Sequence, residues 1–134
     1  MLSADTDGPL NLLTEAPNMK NGLWAVEFFA STEVTGSGVM ALENGRILGG
    51  DHSYYYFGIY TIVDSLAIGQ EMLRGEVRIR HYHGERSNVF GPVDELNLRL
   101  ECAVGSPWIM GLGYDPSAPE RRLSLRLRLL EELP

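Results

Sequence analysis

The stretch "RRLSLRLRLLEE" near the C-terminus alternates without a break: Leu123, Leu125, Leu127 and Leu129 fall opposite Arg122, Ser124, Arg126 and Arg128. Successive side chains of a β-strand point to opposite faces, so a repeat of two held over this length fits a strand and not an amphipathic helix. "DELNLRLECAV" repeats the pattern, with Leu96, Leu98, Leu100, Cys102 and Val104 on one face and Glu95, Asn97, Arg99 and Glu101 on the other. "LWAVEFFA" sets Trp24, Val26 and Phe28 against Ala25, Glu27 and Phe29, and "RGEVRIRHYH" sets Val77 and Ile79 against Arg78 and Arg80. A chain written in this alternation must build its core from sheet faces.

The turns agree. Asn44-Gly45 separates the apolar runs Val39–Leu42 and Ile47-Leu48. Both residues tolerate positive φ, which a two-residue type I′ hairpin requires. Gly49, Gly50 and Asp51 also read as turn chemistry, the glycines supplying unusual φ and Asp51 accepting bonds from nearby amides. "DPSAPE" is a further turn, and "SPWIMGLGY" a short, glycine-interrupted strand. "DSLAIGQEML", Asp64 to Leu73, reads as a short helix or an irregular connection. About eight strands result, with short loops and no long helical pattern. Sequential strands with tight connections pair antiparallel. The pattern predicts an all-β fold, an up-and-down antiparallel barrel of about eight strands. Glycines inside the strands (Gly36, Gly38, Gly58, Gly111, Gly113) favour closure, because bends at barrel corners use them.

Residues 1–18 differ from the rest. They hold Asp5, Asp7 and Glu15, no Lys or Arg, and the breakers Gly8, Pro9 and Pro17. They read as a flexible N-terminal tail before a barrel domain of residues 19–134. The length of 134 residues suits one domain with a real core. A formal net charge of −7 argues against general nucleic-acid binding, which needs a surplus of Lys and Arg. The single cysteine, Cys102, excludes an intrachain disulfide and a Cys-based zinc site. No long apolar run suggests a membrane span, and the N-terminus lacks a basic n-region. A cytoplasmic protein is the expectation.

The stretch "GGDHSYYYFGIYTIV" raises a packing problem. Tyr54, Tyr56, Tyr60 and Ile62 point one way, and Tyr55, Phe57, Ile59 and Val63 the other. An apolar outer face calls for a cover, so Tyr55, Phe57 and Ile59 are expected at a homodimer contact. The inward face of the sheet, lined by Trp24, Val26, Phe28, Leu98, Leu100, Leu125 and Leu127, is the candidate site for a small apolar ligand, since eight strands enclose room for packed side chains or one ligand.

Other residues carry weaker signals. His81 and His83 share a strand face near Glu85 and His52, but no third ligand stands at a diagnostic spacing, and no metal is expected. There is no nucleophile elbow, Cys102 lies on a leucine face, and Asp94 and Glu95 point apart. No enzyme and no cofactor are expected. The arginines at 78, 80, 122, 126 and 128 read as outer faces paired with Glu across strands.

The segments "MKNGLWAVEF" (Met19 to Phe28), "GSGVMALENGRILGGD" (Gly36 to Asp51) and "YYYFGIY" (Tyr54 to Tyr60) resemble the GrlR family, negative regulators of bacterial type III secretion genes. The most specific part is the pattern Gly49, Gly50, Asp51, Tyr54, Tyr56, Gly58 and Tyr60. The resemblance covers about a third of the chain. It implies a small lipocalin-like up-and-down barrel that forms a dimer. The family's namesake holds a transcriptional activator by direct contact, and its barrel has an apolar cavity suited to a lipid-like molecule. The acidic Glu-Asp-Glu-Asp cluster tied to activator binding there has no counterpart here; the adjacent acidic pairs are Asp94-Glu95 and Glu131-Glu132. The resemblance therefore implies a non-enzymatic regulatory protein, resembling a repressor that sequesters a transcriptional activator. The alternative is a binder or sensor of a small apolar or lipid-like ligand.

Overall fold

A computed structural model of the chain describes residues 19–30, 33–65, 67, 69–86, 92–105 and 107–134. Eight strands follow one another: β1 (Gly22–Ala30), β2 (Glu33–Glu43), β3 (Arg46–Gly50), β4 (Tyr54–Ser65), β5 (Gln70–His81), β6 (Glu95–Val104), β7 (Trp108–Asp115) and β8 (Ala118–Glu132). Each pairs antiparallel with the next, and β8 returns to pair with β1, closing an up-and-down barrel. No helix occurs among the described residues, hence none long and apolar enough to cross a membrane. The tail assignment of residues 1–18 falls outside the described residues.

The alternating pattern sorts inside from outside. Leu96, Leu98, Leu100 and Cys102 of β6 and Leu123, Leu125 and Leu127 of β8 are buried together with Trp24 and Val26 of β1. Leu129 shares this face but lies exposed at the barrel mouth. It pairs with Trp24, but one extra residue of β8, Leu130, lies between that pair and Leu23–Glu131. This bulge bends the strand at the barrel rim, and both leucines end up exposed.

Asn44 and Gly45 adopt φ of 51° and 81°, the positive pair of the expected hairpin turn. Asn21 clasps this turn: its Nδ2 donates to Asn44 Oδ1 at 3.0 Å and its Oδ1 accepts from the Asn44 amide at 2.9 Å.

Two local readings are corrected. Gly49 and Gly50 lie within β3, not in a turn, and neither has positive φ. Glycine is needed at 49 for room: a Cβ there would sit 2.2 Å from the Val39 carbonyl oxygen. Most of the Asp64–Leu73 segment is strand, with the connection confined to the residues between Ser65 and Gln70 and no helix among the described residues. Asp64 and Ser65 end β4, Gln70 to Leu73 begin β5, and Gly69, at φ 64°, donates its amide to Ser65 O at 2.7 Å. The strand pairing continues from Asp64–Glu71 to Ser65–Gln70. The mixed polar and apolar residues there suit a sheet edge closed by a tight turn as well as one turn of helix, and the pairing of long strands decided between them.

Candidate protein-contact face

Register brings the outward side chains of β2 to β5 into rows. Val39 stands beside Gly50, Tyr55 and Arg80. The next row runs Ala41, Leu48, Phe57, Arg78, and the one below it Glu43, Arg46, Ile59, Glu76. On β4 the inward residues Tyr54, Tyr56 and Ile62 are buried, whereas Tyr55, Phe57 and Ile59 are 36%, 52% and 62% exposed. With Val39 and Leu48 they form a continuous apolar strip on the outside of the barrel. Tyr82 extends it at the upper end, its ring 6.4 Å from that of Tyr55.

Arginines border the strip. Arg46 pairs with Glu43 at 3.0 Å, Arg80 with Glu95 at 3.2 Å and Arg99 with Glu76 at 3.7 Å. The Arg78 guanidinium lies 5.9 Å from the centre of the Phe57 ring. Arg74 and Arg78 form no ion pair among the described residues. Between these side chains runs a groove of about 490 Å³, lined by Arg46, Leu48, Phe57, Ile59, Arg78 and Arg99, among others. An apolar floor with a cationic rim fits a protein surface that presents aliphatic or aromatic anchors among carboxylates.

The expected interior residues point inward, but they meet one another. Trp24, Val26, Leu98, Leu100, Leu125 and Leu127 are buried, and Phe28 packs against them. Phe28 meets Tyr56 edge to face, with ring centres 5.8 Å apart. The space left between Phe28, Met40, Tyr56, Val77, Leu98 and Leu125 is about 20 Å³, about the room for one water molecule. This interior is a packed core, without the volume a lipid-like ligand needs.

Asp51 organises the upper end. Its Oδ1 accepts from the amides of Ser53 at 2.9 Å and Tyr54 at 2.8 Å, as its turn role requires. Its Oδ2 accepts from the Tyr56 hydroxyl at 2.5 Å, and its backbone carbonyl from the Tyr82 hydroxyl at 2.6 Å. Burial and the neighbouring carboxylate hold the Tyr56 hydroxyl protonated well above the usual tyrosine range. Tyr54 donates to the Val93 carbonyl at 2.7 Å, and burial pushes its hydroxyl up as well.

The remaining sequence candidates separate. His81 ends β5 and its Nε2 lies 2.8 Å from the Gly84 carbonyl, while His83 lies beyond the strand. Among the described residues no three of His, Cys, Asp and Glu gather as metal ligands. Cys102 is buried, and that burial pushes its thiol up to about 12. Asp94 meets Arg86, which holds its carboxyl below the usual range, while Glu95 meets Arg80. Arg126 pairs with Glu27 at 2.6 Å and stacks between Phe29 and Trp108, its guanidinium carbon 5.2 Å and 4.8 Å from the ring centres.

Sequence reasoning found the three β4 residues of the strip but missed Val39, Leu48, Arg74 and Tyr82 as their neighbours. The Asn-Gly turn could have set Leu48 opposite Ala41. The pairing of β3 with β4 depends on the Asp51 turn, which has no equally sharp sequence signature. No protein-family model matches this chain, and no curated protein matches it significantly.

Proposed function

We propose that the protein is a non-enzymatic regulator that acts by protein–protein contact through the outer face of β3, β4 and β5, resembling a repressor that sequesters a transcriptional activator. The observation that carries this reading is the exposure of Phe57 and Ile59 on a wall whose inner face is fully packed. A soluble barrel has no internal use for large apolar side chains on its outside. Covering such anchors is worth roughly 1.5–3 kcal/mol each, enough to drive a specific contact when several act together. The face serves a second copy of the chain or a regulator partner.

The test is a paired measurement on the intact chain and on Phe57→Glu. Sedimentation reads self-association, and affinity capture with identification of the captured protein reads regulator binding. Loss of either one in Phe57→Glu, with the fold retained, supports the reading. A monomer that captures no DNA-binding regulator at high concentration sinks it.

The reading as a binder of a small apolar ligand keeps one supporting observation. The lower mouth of the barrel holds a depression of about 420 Å³ lined by Met19, Trp24, Val104 and Leu129, among others, and the buried Trp24 Nε1 has no hydrogen-bond partner among the described residues. Native mass spectrometry of freshly purified protein distinguishes this reading through a retained small molecule.

A further inference from the structure

Trp24 is 6% exposed, and its indole Nε1 has no acceptor among the described residues. Leaving a buried donor unpaired costs the full desolvation of the group, and folded chains keep few of them. Tyr54 and Tyr56, the other buried aromatic donors among the described residues, both find acceptors, the Val93 carbonyl and the Asp51 carboxylate. The indole N–H is the orphan.

Its donor edge faces the lower mouth of the barrel. Gly22 stands two residues nearer the mouth on β1 and shares the inward face of Trp24. A Cβ at Gly22 would sit 3.0 Å from Trp24 Nε1 and 2.7 Å from Leu129 Cδ1. The absent side chain leaves the N–H open on this side, with only Leu129 across it. Trp24 and Leu129 both line the depression of about 420 Å³, with Met19, Lys20, Glu71, Val104, Gly105 and Glu132. That volume lies in the range of small-molecule sites. Leu129 is 36% exposed, so a change of its rotamer brings the donor into contact with whatever fills the depression.

The rim selects the chemistry of the occupant. Lys20 pairs with Glu132 at 3.9 Å, and Glu71 forms no ion pair among the described residues. Two carboxylates against one ammonium leave the rim negative, which disfavours an anionic headgroup. A bare ammonium has no acceptor to offer the N–H. A neutral carbonyl accepts the bond without either cost, and Met19, Val104 and Leu129 cover an attached apolar body.

We propose that the lower mouth is a binding site for a neutral small molecule that joins a carbonyl group to a short apolar body. The carbonyl oxygen accepts from Trp24 Nε1, and the body lies against Met19, Val104 and Leu129. The inference rests on the reading of the chain as a binder of a small apolar ligand. It moves that ligand from the packed interior to the mouth and gives it a polar group.

The test uses the full, isotope-enriched chain. The sequence holds two tryptophans, so Trp108→Phe identifies the Trp24 indole N–H signal by elimination. The probes are methyl hexanoate, hexanoate and hexane, which share an apolar body and differ in the polar group. The expected result is a saturable downfield shift of the Trp24 N–H proton with methyl hexanoate and none with hexane. Hexanoate should bind more weakly than the ester. Gly22→Ala keeps the donor and fills the space beside it; it should weaken the ester about five- to tenfold, and Trp24→Phe should do the same. A Trp24 signal that no probe moves overturns the proposal. An ester affinity unchanged in Gly22→Ala, or hexanoate binding more tightly than the ester, overturns it too. If freshly purified protein still carries a small molecule by native mass spectrometry in that event, the ligand-binding reading stands and only this site falls. If it carries none, both fall.

Discussion

The Tyr56 hydroxyl donates to Asp51 Oδ2 at 2.5 Å, joining a ring in the barrel core to the turn between β3 and β4. The same carboxylate holds the amides of Ser53 and Tyr54. One side chain therefore fixes both the turn and the depth at which β4 sits against the core, and with them the outward aim of Tyr55 and Phe57. Asp51→Ala leaves three donors without their acceptor and is expected to cost about 2–4 kcal/mol in chemical denaturation, against about 1–2 kcal/mol for Tyr56→Phe. The two changes share one bond, so the double variant should lose less than the sum of the singles.

The Asn44-Gly45 turn gives a second expectation. Gly45 has φ 81°, where a β-branched residue is strained. Gly45→Val should cost roughly 1–3 kcal/mol. Asn21→Ala, which removes the clasp but leaves the turn conformation allowed, should cost less. Equal losses would mean that the clasp and not the backbone conformation sets the turn's contribution.

The packed interior makes a prediction of its own. Leu100 is buried in the wall of the small central void. Leu100→Ala should lose about 2–5 kcal/mol and open a dry cavity. That cavity should take up a small apolar probe such as benzene, visible as shifts of neighbouring methyl signals, while the unaltered chain takes up none. Uptake by the unaltered chain would contradict a filled barrel.

Stability should fall at alkaline pH. Burial raises the Cys102 thiol from 9.0 to about 12, and Tyr56 is raised further by burial and Asp51. For a group whose folded value lies above its unfolded one, stabilisation is complete below the unfolded value and is lost as pH climbs through the folded one. The Cys102 contribution is thus full below about pH 9 and drains away toward pH 12, with a slope of up to about 1.4 kcal/mol per pH unit. Denaturant titrations from pH 8 to 11 should show this decline, and Cys102→Ala should make it shallower. An unchanged slope in that variant would assign the alkaline loss to the tyrosines.

The contact strip separates surface chemistry from stability. Phe57→Glu and Ile59→Lys alter exposed side chains and should shift the denaturation midpoint little, by about 0.5 kcal/mol or less in free energy. A large loss of stability from either one would mean that the strip belongs to the barrel's own packing.

The sequence alone carried what depends on near neighbours along the chain. Alternation in β6 and β8 named Leu98, Leu100, Leu125 and Leu127 as inward because side-chain direction in a strand is fixed two residues at a time. Asn44-Gly45 named its turn because positive φ selects those residues. Tyr55, Phe57 and Ile59 were legible as an outward apolar row for the same reason. Tertiary structure decided what depends on residues far apart in the chain. Gly49 is a glycine because the Val39 carbonyl lies against it, and Leu129, though in register with Trp24, stays exposed because it stands at the barrel mouth where β8 bulges against β1. Whether the barrel is hollow, and which arginines border the Phe57 strip, follow from closure and register, which are set by all eight strands at once and by no local run of residues.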